Sequence, residues 1–137
     1  VVEKLKNPGI VAHGIALKPG KPVCLAVEAG KAVVVLPGFP TSAIFTFHEF
    51  VAPVIRKLGG GDAAADHRAS RSVVNAKMAI KVISEIGRTE YMLVGLVPGT
   101  ETETNTHLVA YPMGKGSGSV TAFGRADGFI TIGRHEE

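Results

Sequence analysis

Three short stretches of this chain carry residues that could do chemistry, and in each the chemistry is ligand binding. The first is Lys18-Pro19-Gly20-Lys21-Pro22. Two prolines and a glycine stiffen a loop from which two ammonium groups project, and pre-organised cations suit oxyanions such as phosphate. A tight turn with two solvated lysines accounts for the same residues, and spacing alone favours that plainer reading. The second is Leu36-Pro37-Gly38-Phe39-Pro40-Thr41-Ser42, between a strand and a helix. Backbone N–H groups at a helix start, joined by a Ser or Thr hydroxyl, can hold an anion. Capping of the helix by Thr41 or Ser42 is the simpler explanation. The third is Gly114-Lys115-Gly116-Ser117-Gly118-Ser119, followed by Arg125-Ala126-Asp127-Gly128. Its glycines permit close backbone approach to a ligand and its serines offer donors, as a flexible hairpin loop would also do. It is not a P-loop, because the spacing and the following helix are missing.

Other reactive residue types add little. The single cysteine, Cys24, sits in the apolar run Val23-Cys24-Leu25-Ala26-Val27 and reads as a buried structural thiol. It has no disulfide partner, which fits a reducing, cytoplasmic location. His13 and His48 read as structural histidines, while His67, His107 and His135 lie in polar surroundings. Carboxylates are sparse around the three loops, so no acid/base pair and no Ser-His-Asp arrangement emerges.

The elements that must position these loops follow from the hydrophobic pattern. Residues 10–17, 23–27 and 32–36 read as strands, with Glu28-Ala29-Gly30-Lys31 as a turn. The run 32–36 is continuous and β-branched, as expected of a strand buried on both faces. A helix follows, with Ile44, Phe47, His48, Val51, Ile55 and Leu58 at helical spacing on one buried face. Pro53 should kink or split it, and Gly59-Gly60-Gly61 should end it. Residues 59–70 are small and polar and read as a linker. Beyond them, partial alternation over 72–84 and short apolar runs at 90–97, 106–111, 118–123 and 128–132 predict a set of strands. The expected architecture is an α/β fragment over residues 1–61 followed by a small all-β barrel over residues 62–137.

The 137 residues carry a formal net charge of +3, which mildly favours anionic partners. There is no dense basic stripe interleaved with aromatics, so nucleic acid is not expected as a partner. No apolar run reaches the roughly 18 to 20 residues of a membrane span, and no signal peptide is visible at the start. The chain opens on Val1, and three strands with one helix cannot cover both faces of a parallel sheet. A piece of a longer protein is therefore expected.

The order of these motifs resembles the MoeA/gephyrin family. H-G-I-A-L-K-P-G-K-P at 13–22, V-V-L-P-G-F-P-T-S-A at 34–43 and F-V-A-P-V-I-R-K-L at 50–58 resemble that family's third domain. Gly87-Arg88-Thr89-Glu90-Tyr91, Gly116-Ser117-Gly118-Ser119 and Ala126-Asp127-Gly128 resemble its fourth domain, a small β-barrel. The resemblance implies a molybdopterin molybdenumtransferase, a homodimer that inserts molybdate into molybdopterin or its adenylylated form, with magnesium present. It places Lys18, Lys21, Pro22 and Ser42 where the family holds phosphate or molybdate, and Arg88, Ser117 and Ser119 on the barrel side. Phe39 and Thr41 stand where the family has Asn and Val, and Met92-Leu93 where an arginine is common. The family's upstream T-G-D-E and G-G-V-S-V-G segments, which carry acidic, metal-binding and further pterin contacts, have no counterpart in these residues. Phe39 also resembles members with an extra C-terminal binding-protein-like domain, so further sequence at that end is expected. The resemblance equally admits a non-catalytic pterin- or oxyanion-binding module, or a scaffold. By the resemblance, the fragment alone is expected to lack turnover.

Overall fold

The computed structural model describes residues 4–61, 72–99, 108–114 and 120–136. Strands β1 (Gly9–His13), β3 (Cys24–Glu28) and β4 (Lys31–Val35) form an antiparallel sheet in the order β1-β3-β4. Glu28 pairs with Lys31, so β3 and β4 are joined by a two-residue turn. Ala29 (φ 48°) and Gly30 (φ 77°) both lie in the left-handed region, as the tight hairpin turns that match strand twist require.

The expected single strand at 10–17 is two strands in different sheets. After β1 the chain turns, and Leu17–Lys18 (β2) pairs in parallel with Thr89–Glu90 of β6 (Thr89–Pro98). The second sheet runs β2-β6-β7-β5, with β8 (Gly128–Ile132) also on β6. Here β5 is Lys77–Met78 and β7 is Leu108–Pro112. Among the described residues this sheet does not close, so the barrel expected from the strand pattern is not seen in them. Of the alternating stretch 72–84, only Lys77–Met78 forms a strand.

Three further expectations are corrected. The run 32–36 is not buried on both faces: β4 is the edge of its sheet, and Val35 is exposed. Its β-branched residues report strand propensity, which does not itself fix burial. Residues 120–125 form the short helix α3 (Val120–Arg125), where 118–123 read as a strand. Tertiary packing overrides the weak local preference there, because Phe123 meets Phe45 edge-on. The third is the buried face of the main helix.

That helix runs as α1 (Pro40–Thr46), a π-helical segment (Phe47–Val51) and α2 (Ala52–Leu58). Pro53 has no N–H, and in a regular helix its ring would clash with the carbonyl four residues earlier. The wider π segment ends just before it: the Ala52 N–H donates to the Phe47 carbonyl, five residues back. The extra residue per turn rotates everything beyond it. The buried positions are Thr41, Ser42, Phe45, Thr46 and Ala52, while Phe47, His48, Ile55 and Leu58 of the expected buried stripe are exposed and Ile44 and Val51 half-buried.

The core includes the face of this helix that packs on the second sheet. Phe45 stacks on Tyr91 of β6 at 4.9 Å and meets Phe123 and Phe129 edge-on. Val23, Cys24, Ala26, Leu17, Met92, Val94 and Ala110 complete it. Along β6 the buried residues alternate as Glu90, Met92 and Val94, the two-residue period of a strand with one covered face. No helix among the described residues is long and apolar enough to cross a membrane.

Candidate functional site

The lysine loop is held rigidly against the helix. Lys18 ends β2, the Lys18–Pro19 bond is cis, and Gly20 follows at φ 130°. A Cβ at Gly20 would lie 2.6 Å from Thr46 Cγ2 and 3.2 Å from Leu17 Cδ2, so only glycine lets the loop seat here. The Ile15 N–H donates to the Lys21 carbonyl at 2.9 Å and the Val23 N–H to the Gly20 carbonyl at 3.2 Å. Val23 is fully buried and anchors the exit.

The second loop arrives from the other end of the same packing. Phe39 is the helix N-cap with extended backbone (φ −76°, ψ 130°), Pro40 occupies the first turn, and no side chain caps the helix. Thr41 and Ser42, read above as possible caps, are instead buried inside the first turn. Thr46, beneath the Gly20 contact, donates from Oγ1 to the Ser42 carbonyl at 2.8 Å. Thr46 therefore touches both loops, and this is the link that the sequence did not reveal.

The third contributor is the start of β6. The Thr89 N–H donates to the Ala16 carbonyl at 3.0 Å, locking β6 beside the lysine loop. Arg88 pairs with Glu85 at 3.4 Å on the surface, a contact of at most about 1 kcal/mol. Glu90 points inward and is 4% exposed. Its Oε2 accepts from Lys18 Nζ at 3.4 Å and from Ser84 Oγ at 2.9 Å. The buried carboxylate thus has two donors, as a buried charge requires.

Together these elements enclose a cavity of about 400 Å³, within the range of small-molecule sites. Its wall includes Lys18, Lys21, Pro22, Ser42 and Arg88, five of the residues singled out from sequence, together with Thr41. Ser117 and Ser119 lie outside the described residues. The lining combines these cations with apolar residues, Phe39, Met92, Leu93 and Met113. Glu90 is a charged lining residue that sequence reasoning missed as part of a site. Its parity with Met92 and Val94 on an alternating strand was the available signal: a carboxylate at a core position needs a partner. Among the described residues no three His, Cys, Asp or Glu side chains come together, and Glu90 is engaged by Lys18 and Ser84. The described residues therefore do not fit the magnesium implied by the resemblance. Cys24 is buried and free, and His13, His48 and His135 are exposed and outside the cavity wall.

Comparison with known proteins sets this geometry in context. Residues 1–57 match the family described as probable molybdopterin binding domain, and residues 75–137 match the MoeA C-terminal region (domain IV). A molybdopterin molybdenumtransferase from Haemophilus influenzae is 34% identical over 92 residues, which is 59% of this chain and 23% of that protein. The molybdenum cofactor synthesis protein cinnamon of Drosophila melanogaster is 42% identical over 64 residues, 47% of this chain and 10% of that protein. The crystal structure of the molybdopterin biosynthesis MoeA protein from Pyrococcus horikosii superimposes with a TM-score of 0.67 at 34% identity, covering 93% of this chain and 28% of that one. The chain thus spans between 10% and 28% of the length of these relatives.

Proposed function

We propose a function on one premise: this chain belongs to the MoeA family of molybdenum cofactor biosynthesis proteins. The full-length protein carrying it inserts molybdate into molybdopterin, or into the adenylylated form, as a cytoplasmic homodimer. Residues 1–61 form part of its molybdopterin-binding domain, and residues 62–137 its C-terminal domain. Lys18, Lys21, Pro22, Ser42 and Arg88 hold the oxyanion and the pterin phosphate, with Ser117 and Ser119 assigned to the same site.

The observation that carries this reading is the convergence of Lys18, Lys21, Ser42 and Arg88, from three separate segments, on one cavity wall. Lysine and arginine supply fixed positive charge, and the Ser42 hydroxyl supplies a neutral donor. A dianionic oxyanion and a phosphate need such fixed donors, whose chief contribution is positioning and electrostatic stabilisation. Magnesium remains an expectation from the family, and the described residues offer it no ligand set. Alone, this stretch of chain is proposed to lack turnover.

The test is reconstitution of a molybdenum enzyme by the full-length protein, molybdopterin and molybdate. Wild type should restore activity and Lys18→Ala/Lys21→Ala should lower it at least tenfold. Equal activity of the two would remove these lysines from the site. A second reading, a non-catalytic pterin- or oxyanion-binding module or scaffold, draws on Phe39 and Leu93, which differ from the family's loop pattern and line the cavity. Pterin binding without reconstitution would favour it.

A further inference from the structure

We propose that Phe39 is a ring-stacking platform, a specificity-determining residue for a flat heteroaromatic group held in the cavity. The proposal rests on the reading above and deepens it, since the flat group is taken to be the pterin.

Phe39 is 61% exposed, the most exposed of the six phenylalanines. Tyr91, Phe123 and Phe129 pack around Phe45, and Phe47 meets His48 edge-on. Phe39 instead lines the cavity, and among the described residues no ring stacks on it. Its backbone is fixed: Pro40 follows directly, and its carbonyl accepts from the Ala43 N–H at 2.9 Å. A large apolar ring thus projects from a fixed backbone at a ligand cavity and is largely open to solvent.

The same wall has two characters. Lys18, Lys21 and Arg88 are suited to a negative charge, whereas Met92, Leu93 and Met113 line the same cavity as Phe39 with apolar and polarisable side chains. A ligand that satisfies both carries a flat, apolar part and an anionic part. Stacking on an aromatic side chain contributes about 1–3 kcal/mol per heterocycle by alanine substitution, which corresponds to roughly 5- to 150-fold in affinity. If Phe39 served only as a helix N-cap residue, Leu would replace it without loss, because no side-chain capping bond is made.

The experiment titrates the full-length protein with two probes, 6-carboxypterin followed by its fluorescence and molybdate followed by calorimetry. Wild type is compared with Phe39→Leu, Phe39→Tyr and Lys18→Ala/Lys21→Ala. Phe39→Leu should weaken pterin binding at least fivefold and leave molybdate binding within twofold, while Phe39→Tyr keeps both. An unchanged thermal midpoint for Phe39→Leu separates loss of stacking from loss of fold. Pterin binding by Phe39→Leu equal to wild type overturns the proposal, and so does an equal loss of both probes. The lysine variant reports on the underlying reading by itself: if it binds both probes as wild type does, the anion site is misplaced, whatever Phe39 does.

Discussion

Replacing Lys18 by Ala should destabilise the protein as well as weaken anion binding, because it orphans a buried carboxylate. Glu90 is 4% exposed, and Lys18 Nζ lies 3.4 Å from its Oε2. At that separation two unit charges attract by about 5 kcal/mol at an effective dielectric of 20. Desolvation of Glu90 offsets most of this. The Lys18 side chain is 36% exposed, so solvent screens the pair further. What remains is the cost of leaving Glu90 without its charged partner and with the Ser84 hydroxyl still donating, about 1–3 kcal/mol. Urea denaturation of wild type, Lys18→Ala, Glu90→Gln and the double variant measures it. Lys18→Ala should lower the unfolding free energy by that amount. Glu90→Gln should cost less than about 1 kcal/mol, since Ser84 can still donate and the lysine head reaches water. The double variant should recover most of the Lys18→Ala loss, giving a coupling term of about 1 kcal/mol or more. Additive losses, or a Lys18→Ala variant within about 0.5 kcal/mol of wild type, would refute the reasoning.

Two other substitutions test the scaffold beneath the site. Gly20→Ala places a methyl 2.6 Å from Thr46 Cγ2 at a φ of 130°; chemical denaturation should show a loss of about 1–3 kcal/mol, and a neutral result would mean the lysine loop does not seat on the helix. Phe45→Ala removes the ring at the centre of the aromatic cluster and should cost about 3–5 kcal/mol, visible as a lost or much lowered thermal transition.

The local signals were legible. Glu28-Ala29-Gly30-Lys31 has the turn residues of a hairpin and is one. The runs at 90–97 and 128–132 are strands β6 and β8, and 108–112 of the next run is β7. The lysine loop and the Pro-Gly-Phe-Pro loop stood out by composition, and both line the cavity. What failed was non-local. The helical stripe read across 44–58 is out of phase from its start, since Phe45 and Thr46 are buried in place of Ile44, Phe47 and His48, and the π segment at Phe47–Val51 shifts the count again. Pairing of the two-residue β2 with β6, across 72 positions from Lys18 to Glu90, leaves no local trace. Helix α3 owes its position to Phe123 against Phe45, a contact no window of sequence contains. Glu90 escaped notice because its role needs both the strand's parity and a lysine from another segment.

The central claim, that Lys18 and Lys21 belong to an anion site for a pterin phosphate or oxyanion, is tested most directly by titrating molybdopterin against the full-length protein at low and high salt. Wild type should bind, and its affinity should fall as salt rises, because the contacts are charge-assisted and partly exposed. Lys18→Ala/Lys21→Ala should lose at least tenfold in affinity at low salt and show a shallower salt dependence. Equal affinity and equal salt dependence of the two proteins would contradict the account and return both lysines to a solvated turn.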